Sequence, residues 1–266
     1  MTEQKSTVVI PCAGKGTRLY PLTKDLSKSL INVGSYRMID YSISECIAGN
    51  IDRIVFVLSP DDDQLMEHIH SVNNNKNIPG INKNEFLDID CKIVEQKLPL
   101  GLGNAIYLAA DYILGDSFGI ILPDDLILHR NSVINKMKSI YSRHKKNILY
   151  GKYISEELIE NFGIIETGSR YENLYLVVNK LLEKPNKKDT DSNLAILGRY
   201  YLNVKIFDYL HNLEPGFGGE IQLTDALSKM LPDDQFIVIE SGDYHFDVGN
   251  LKGLELAERY INNNPF

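Results

Sequence analysis

Tryptophan is absent from the 266 residues, and cysteine is scarce: Cys12, Cys46 and Cys91, far apart and odd in number. With no CxxC pair and no Cys/His cluster, neither a disulfide framework nor a structural zinc site is supported. Cys12 and Cys91 lie among apolar neighbours and read as core thiols. No stretch approaches the roughly 18 consecutive apolar residues of a membrane span. The opening segment, MTEQKSTVVIPCAG, carries charge but no hydrophobic region ahead of a cleavage site. A reducing cytoplasm is therefore the expected location, without a membrane partner. A basic excess is also missing. The chain has 28 Lys+Arg against 36 Asp+Glu, a net charge of −8. That balance argues against a nucleic-acid partner, which would need a broad cationic surface. It leaves room for a local basic pocket that takes a small phosphate-bearing substrate.

What is present is ordinary for a globular protein: 43% hydrophobic and 24% charged residues. The length suffices for one large α/β domain or two small ones. Short apolar, β-branched runs predict strands at Thr7–Ala13, Asp52–Leu58, Lys92–Glu95 and Phe118–Leu122. Between them, helical spacing predicts helices at Met38–Ala48, Asp62–His70 and Gly103–Leu114. Strands alternating with helices of this length imply βαβ units and a mainly parallel sheet. The second half is less regular. Strands are expected at Leu149–Ile154, Gly163–Thr167, Tyr175–Glu183, Ala195–Tyr201 and Phe236–Glu240. Helices are expected at Ser132–His144, Val204–Leu213, Glu220–Leu231 and Leu251–Asn262. Crossover helices thin out here, so the sheet should become mixed. Asn73–Asn77, within a polar segment running to Asn84, reads as a surface loop. No long linker divides the chain. The expected architecture is one α/β domain over residues 1–266, with a mixed, mainly parallel central sheet flanked by helices, in two lobes of about 1–130 and 131–266.

Several segments carry chemistry. After the first strand comes Ala13-Gly14-Lys15-Gly16-Thr17-Arg18. Glycines let backbone N–H groups approach a phosphate chain. The spacing is not that of a GxxxxGK[ST] loop, and Leu19 stands where GxGxxG needs its third glycine. Lys15, Arg18, Lys24 and Lys28 supply cations within fifteen residues, more suited to a triphosphate than to a dinucleotide. An ordinary glycine turn would read the same way. Gln96 closes a strand before Leu100-Gly101-Leu102-Gly103-Asn104-Ala105. Its amide can offer a donor and an acceptor, as a pyrimidine edge requires. Gly119-Ile120-Ile121-Leu122-Pro123-Asp124-Asp125 is an apolar strand ending in two carboxylates, at the sheet edge where open α/β folds bind ligands. Magnesium favours such carboxylate oxygens together with substrate phosphates. Asp247 precedes the last helix, where Asn250 could simply be a cap. The six histidines form no recognisable set, with His245 near Asp247 the one to watch.

The string PCAGKGTRLYPLTKDLSKSL resembles the signature of the sugar-nucleotidyltransferases, through Gly14, Gly16, Thr17, Arg18, Pro21 and Lys28. Gln96 with Gly101-Leu102-Gly103, Leu122-Pro123-Asp124, Phe162-Gly163, Glu183-Lys184-Pro185, Gly219 to Ala226, and Asp247-Val248-Gly249-Asn250 match further elements in order. Ser29 departs mildly from the residue usual after the second lysine. The resemblance implies a Rossmann-like fold of the nucleotide-diphospho-sugar transferase type. It implies a reaction of a nucleoside triphosphate with a sugar 1-phosphate, giving a nucleotide sugar and pyrophosphate. The later blocks are most similar to the branch using UTP and glucose 1-phosphate, the first block to the thymidylyltransferase or general type. By the same resemblance Ala13, Gly14, Gly16, Thr17, Gln96 and Gly101 hold the nucleotide in the first lobe. Gly163, Glu183, Lys184 and Glu220 hold the sugar phosphate in the second. Arg18, Lys28 and Lys184 act on phosphates, and Asp124 and Asp247 bind Mg²⁺, the implied cofactor. Asp125 is left a minor or structural role. Glu220 could bind a hydroxyl or favour the positive end of its own helix. A homo-oligomer, dimer or tetramer, is expected. Two rivals stay open: a glycosyltransferase using Asp124-Asp125 with a metal, and a non-catalytic relative that senses nucleotide sugars.

Overall fold

The computed structural model describes residues 5–71, 78–81, 89–128 and 132–264. The loop expected at Asn73–Asn84 falls largely outside the described residues. In the first half, β1 (Thr7–Pro11), β2 (Asn32–Val33) and β3 (Tyr36–Arg37) lead into α1 (Met38–Ala48). Next come β4 (Arg53–Leu58), α2 (Asp63–His70), β5 (Asp90–Glu95), α3 (Leu102–Leu108), β6 (Ser117–Ile121) and β7 (Asp125–Leu128). The second half holds α4 (Val133–His144), β8 (Asn147–Tyr153), β9 (Gly163–Tyr171), β10 (Tyr175–Glu183) and β11 (Leu194–Asn203). It ends with α5 (Ile206–His211), α6 (Leu223–Met230), β12 (Phe236–Glu240), β13 (Tyr244–Asp247) and α7 (Leu251–Asn263).

One nine-stranded sheet runs through both halves in the order β5-β4-β1-β6-β11-β8-β12-β10-β9. The first four strands are parallel to one another, as their βαβ connections require. Beyond β6 the sheet is mixed, with β12 parallel to β8 and the other neighbours antiparallel. The parallel character thus belongs mainly to the first half. β9 also returns to pair with β11, Ala195 opposite Ile164, so the last five strands of the order curl back on themselves. That closure carries the start of β9 and the end of β10 to the carboxyl edge of β6.

Alternation along the strands builds two cores. Val8 and Ile10 of β1 face α1, α2 and α4 with Ile54 and Phe56, while Val9 faces α3, α5 and α6 with Val55 and Val57. Period-two side chains on a sheet covered on both faces make every strand residue apolar, which is why the runs are continuous rather than alternating. A third cluster joins Leu19, Ile31 and Met38 to Leu126, Val248, Leu254 and Ile261. It fastens α7, the end of the chain, to the first half. Cys12 and Cys46 are buried, and Cys91 is half-buried; all three are free thiols.

Some expected boundaries shift. The helix expected over Gly103–Leu114 is α-helical only to Leu108, then tightens to a 3₁₀ turn at Ala110–Tyr112. The helix expected from Glu220 starts at Leu223, with Gln222 as its N-cap. Glu220 is therefore outside the helix, and its carboxylate is not a first-turn residue at the positive end. No helix among the described residues is long and apolar enough to cross a membrane.

Candidate functional site

The site forms where β1, β5 and β6 end on one edge. At the end of β1 the chain turns through Gly14 and Gly16. Gly16 has φ +64°, and a Cβ there would lie 2.8 Å from the Thr23 methyl, so both conformation and space demand glycine. Thr23 donates its hydroxyl to the Gly16 carbonyl at 2.9 Å and pins the loop. Ala13, Gly14, Gly16 and Thr17 line one wall of a cavity of about 480 Å³. Lys28, Gln96, Gly101, Asp124 and Glu220 line the rest of it. Lys15 borders it too, whereas Lys24 faces a neighbouring cavity beside Asp61, Asp62 and Asp63.

A second cavity, about 240 Å³, adjoins the first and shares Asp124 and Glu220 with it. Arg18, Gly163, Glu183, Lys184 and Asp247 line it. Every residue singled out as a nucleotide, sugar-phosphate or metal ligand thus borders one of two joined cavities. Glu183 sits opposite Gly163 in the β10–β9 register. Thr224, at the start of α6, donates to Glu183 Oε2 at 2.7 Å, and Lys184 Nζ lies 3.5 Å from Glu183 Oε1. Lys184 takes φ +43°, which turns the chain out of the strand. Glu220 Oε2 accepts a hydrogen bond from Gln222 at 3.2 Å.

The two aspartates meet through elements that periodicity does not predict. β7 and β13 form a separate two-stranded antiparallel ribbon in which Asp125 opposes Asp247. Val248 N–H donates to the Asp124 carbonyl at 2.8 Å and closes the same junction. Arg18 bridges the carboxylates, 3.1 Å from Asp247 Oδ2 and 3.8 Å from Asp124 Oδ2. Lys28 Nζ lies 2.9 Å from Asp124 Oδ2. A Cβ on Gly249 would sit 2.8 Å from Asp124 Oδ2 and 3.0 Å from both Asp247 Oδ1 and the Arg18 guanidinium, so this glycine leaves the room in which Arg18 bridges the carboxylates. Burial works against the Asp124 carboxylate, but the Lys28 ammonium and the Arg18 guanidinium outweigh it and hold the carboxyl below its usual range. Burial opposes the Lys28 charge as well, and Asp124 more than offsets this, raising the ammonium above its ordinary value.

Asn250 does cap α7, accepting from Gly253 N–H at 3.0 Å. Its amide also donates to Asp247 Oδ2 at 2.9 Å, so the capping residue positions the carboxylate as well. Asp125 borders the second cavity beside Asp124, but its carboxylate is engaged elsewhere. Its Oδ1 is 2.6 Å from His245 Nε2, and burial raises its carboxyl despite that partner. The pair locks the β7–β13 ribbon and gives His245 a structural role. Sequence reading missed Arg199. It lies on a register shift of β11, 3% exposed. Its guanidinium pairs with Glu45 of α1 at 2.9 Å and donates to the carbonyls of Leu122 and Asp125 at 3.2 and 3.1 Å. It thus braces both ends of the turn that presents Asp124. An arginine within the otherwise apolar stretch Leu194–Leu202 was the available signal.

Among the described residues no group of three or more His, Cys, Asp or Glu is arranged to hold a metal by itself. Two carboxylates near enough for one guanidinium to bridge, at the edge of an open cavity, are a donor set that Mg²⁺ accepts, since it completes its shell with water and substrate phosphates. Asp124 and Asp247 fit it.

Residues 7–264 match the family model described as nucleotidyl transferase. The chain belongs to that family. The UTP–glucose-1-phosphate uridylyltransferase of Bacillus subtilis (strain 168) is 31% identical, the match covering 92% of this chain and 87% of that one. The enzyme of the same name from Pseudomonas aeruginosa is 32% identical, with 97% and 96% covered. Among solved structures, a UDP-glucose pyrophosphorylase complexed with UDP-glucose superposes with a TM-score of 0.87 at 28% identity, covering 97% of this chain and 99% of that chain.

Proposed function

We propose that the protein makes UDP-glucose and pyrophosphate from UTP and glucose 1-phosphate. The observation that carries this reading is the pair of joined cavities meeting at Asp124. One is floored by a glycine loop and the Gln96 amide, and the other is walled by Glu183 and Lys184. Such a site holds two different phosphate-bearing molecules with their phosphates in contact. The substrates named for the curated relatives fit that pair. The residues 1–130 half takes the nucleotide and the 131–266 half the sugar phosphate, with Asp247 crossing over to the first half through the β7–β13 ribbon.

In this reaction an oxygen of the sugar phosphate attacks the α-phosphorus of UTP, and the bond to the β-phosphate's bridging oxygen breaks. The nucleophile is already an anion at neutral pH, so no general base is required. The barrier is mainly repulsion and alignment of two polyanions, which positioning and fixed charge can overcome. Lys184 orients the incoming phosphate beside Glu183, which receives a sugar hydroxyl. Arg18, 57% exposed, is free to swing from the aspartates to the triphosphate. Arg18 and Lys28 neutralise the departing pyrophosphate. Mg²⁺, held by Asp124 and Asp247, would supply charge neutralisation between the two substrates.

Pyrophosphate release over a matrix of UTP, dTTP, CTP, ATP and GTP against several hexose 1-phosphates tests the proposal. Preferred turnover of UTP with glucose 1-phosphate is the expected result. Preference for dTTP would transfer the reading to a thymidylyltransferase. Nucleotide binding without pyrophosphate from any pair would replace it with a sensing role.

A further inference from the structure

Sequence alone credits the Gln96 amide with both a donor and an acceptor for the base. The structure divides these roles. Both hydrogens of Nε2 are spent inside the protein, one on the Gly101 carbonyl at 3.0 Å and one on Asn104 Oδ1 at 2.9 Å. The Gly101 carbonyl can only accept, so it fixes which end of the amide faces it. That carbonyl also accepts from Ala105 N–H at 3.2 Å. Leu100 accepts from Ile221 N–H at 2.8 Å and Gly103 N–H donates to Ile221 at 2.7 Å, which staples this turn to the segment before α6. Gln96 is 6% exposed, and its own N–H is held by Leu58 at 2.7 Å. Its Oε1 makes no hydrogen bond to a described residue, while Gln96 lines the nucleotide cavity. The base therefore meets an acceptor.

We propose that Asn104 is a positioning residue that sets nucleobase specificity by holding the Gln96 amide with its carbonyl oxygen toward the base. An oriented acceptor pairs with the N3–H of uracil or thymine. It repels cytosine, whose N3 is itself an acceptor. A single carbonyl anchor leaves the amide free to swing about its bond to Gly101. The second anchor, Asn104, on the first turn of α3, removes that freedom. Asn104 is half-buried and lines neither of the two joined cavities, so its effect passes through Gln96.

This inference rests on the uridylyl-transfer reading, and the test separates the two. Wild type, Asn104→Ala and Asn104→Asp are compared for kcat/KM with UTP and with CTP at saturating glucose 1-phosphate. Asn104→Ala should lower the UTP-over-CTP ratio by about tenfold, mainly through a higher KM for UTP. Asn104→Asp keeps an oxygen acceptor for Nε2. It should retain the wild-type ratio even if its added charge slows both nucleotides alike. A purely structural role would move both nucleotides together and leave the ratio unchanged. An unchanged ratio in Asn104→Ala, or a ratio lost equally in Asn104→Asp, overturns the assignment. Absence of a UTP preference in the wild type would sink the uridylyl-transfer reading and this inference with it.

Discussion

Arg199→Met is the sharpest test of how the fold supports the site. The side chain is 3% exposed and Glu45 2%, and Nε and a terminal nitrogen of the guanidinium each lie 2.9 Å from Glu45 Oε2. Replacing arginine with methionine conserves much of the volume but leaves Glu45 buried without that guanidinium. Breaking a buried pair from one side costs about 3–5 kcal/mol. In a chain this long, about 2 °C of Tm accompanies each kcal/mol, so the loss should be about 6–10 °C. The Leu122 and Asp125 carbonyls lose their donor in the same change, which loosens the turn carrying Asp124. The double variant Glu45→Leu with Arg199→Met removes both charges. It should be at least as stable as Arg199→Met alone, because no uncompensated charge remains. Its activity should stay low, since the two carbonyls are still unbraced. Urea unfolding and thermal melts measure the stability, and pyrophosphate release the activity. A cost below about 1 kcal/mol for Arg199→Met, or a double variant losing the sum of its singles, would refute this account. Full activity in the double variant would separate the brace from catalysis.

Lys184→Ala should lower kcat by about a hundredfold or more while leaving the fold intact, because the lysine is a part-exposed cation bordering the second cavity, where the proposed sugar phosphate would lie. Near-normal turnover removes it from the mechanism. Gly249→Ala places a methyl against Asp124, Asp247 and Arg18, and should raise the Mg²⁺ concentration needed for half-maximal rate with little change in Tm; an unchanged Mg²⁺ requirement discards the assigned metal pair. The Asp90 carboxyl lies below its usual range, chiefly through a hydrogen bond from Lys92 and then through Arg53, against the cost of burial. A depressed carboxyl contributes stability that is present above its unfolded value and lost as pH falls through the lower folded value. Asp90→Asn should therefore cost at most about 1 kcal/mol at pH 7, with the deficit shrinking as pH falls through the lowered range of the folded carboxyl; a deficit that grows on acidification contradicts the pairing. Burial pushes the thiols of Cys12 and Cys91 up to about 12 and about 11, so both should resist alkylation at pH 8 until the protein is denatured; rapid native-state labelling of Cys12 would show that the loop end of β1 opens.

Much of this was legible along the chain. The βαβ rhythm, the glycine loop, the Asp124 strand end and the Glu183-Lys184-Pro185 element are local patterns. Each is written within one strand, one turn or one helix, where backbone geometry translates residue order directly into position. The charge of −8 likewise ruled out a broad basic surface while saying nothing of Arg18, Lys28 and Lys184. Other features could not be placed from local pattern. The β7–β13 ribbon is four residues paired with four, from 116 positions apart at Leu128 and Tyr244 to 122 at Asp125 and Asp247, with no periodicity to announce it. Only chain closure by α7 and the third core cluster brings Asp247 to Asp124. The brace of Arg199 on Glu45 joins residues 154 apart, and burial alone turns that arginine from a surface charge into a support. The direction of the Gln96 amide depends on which neighbours take its hydrogens. Composition and order determined which groups the protein could use, because they are covalent. Which atoms of those groups face the substrate was decided by tertiary contacts, because hydrogen-bond donors and charges are committed only when distant segments meet.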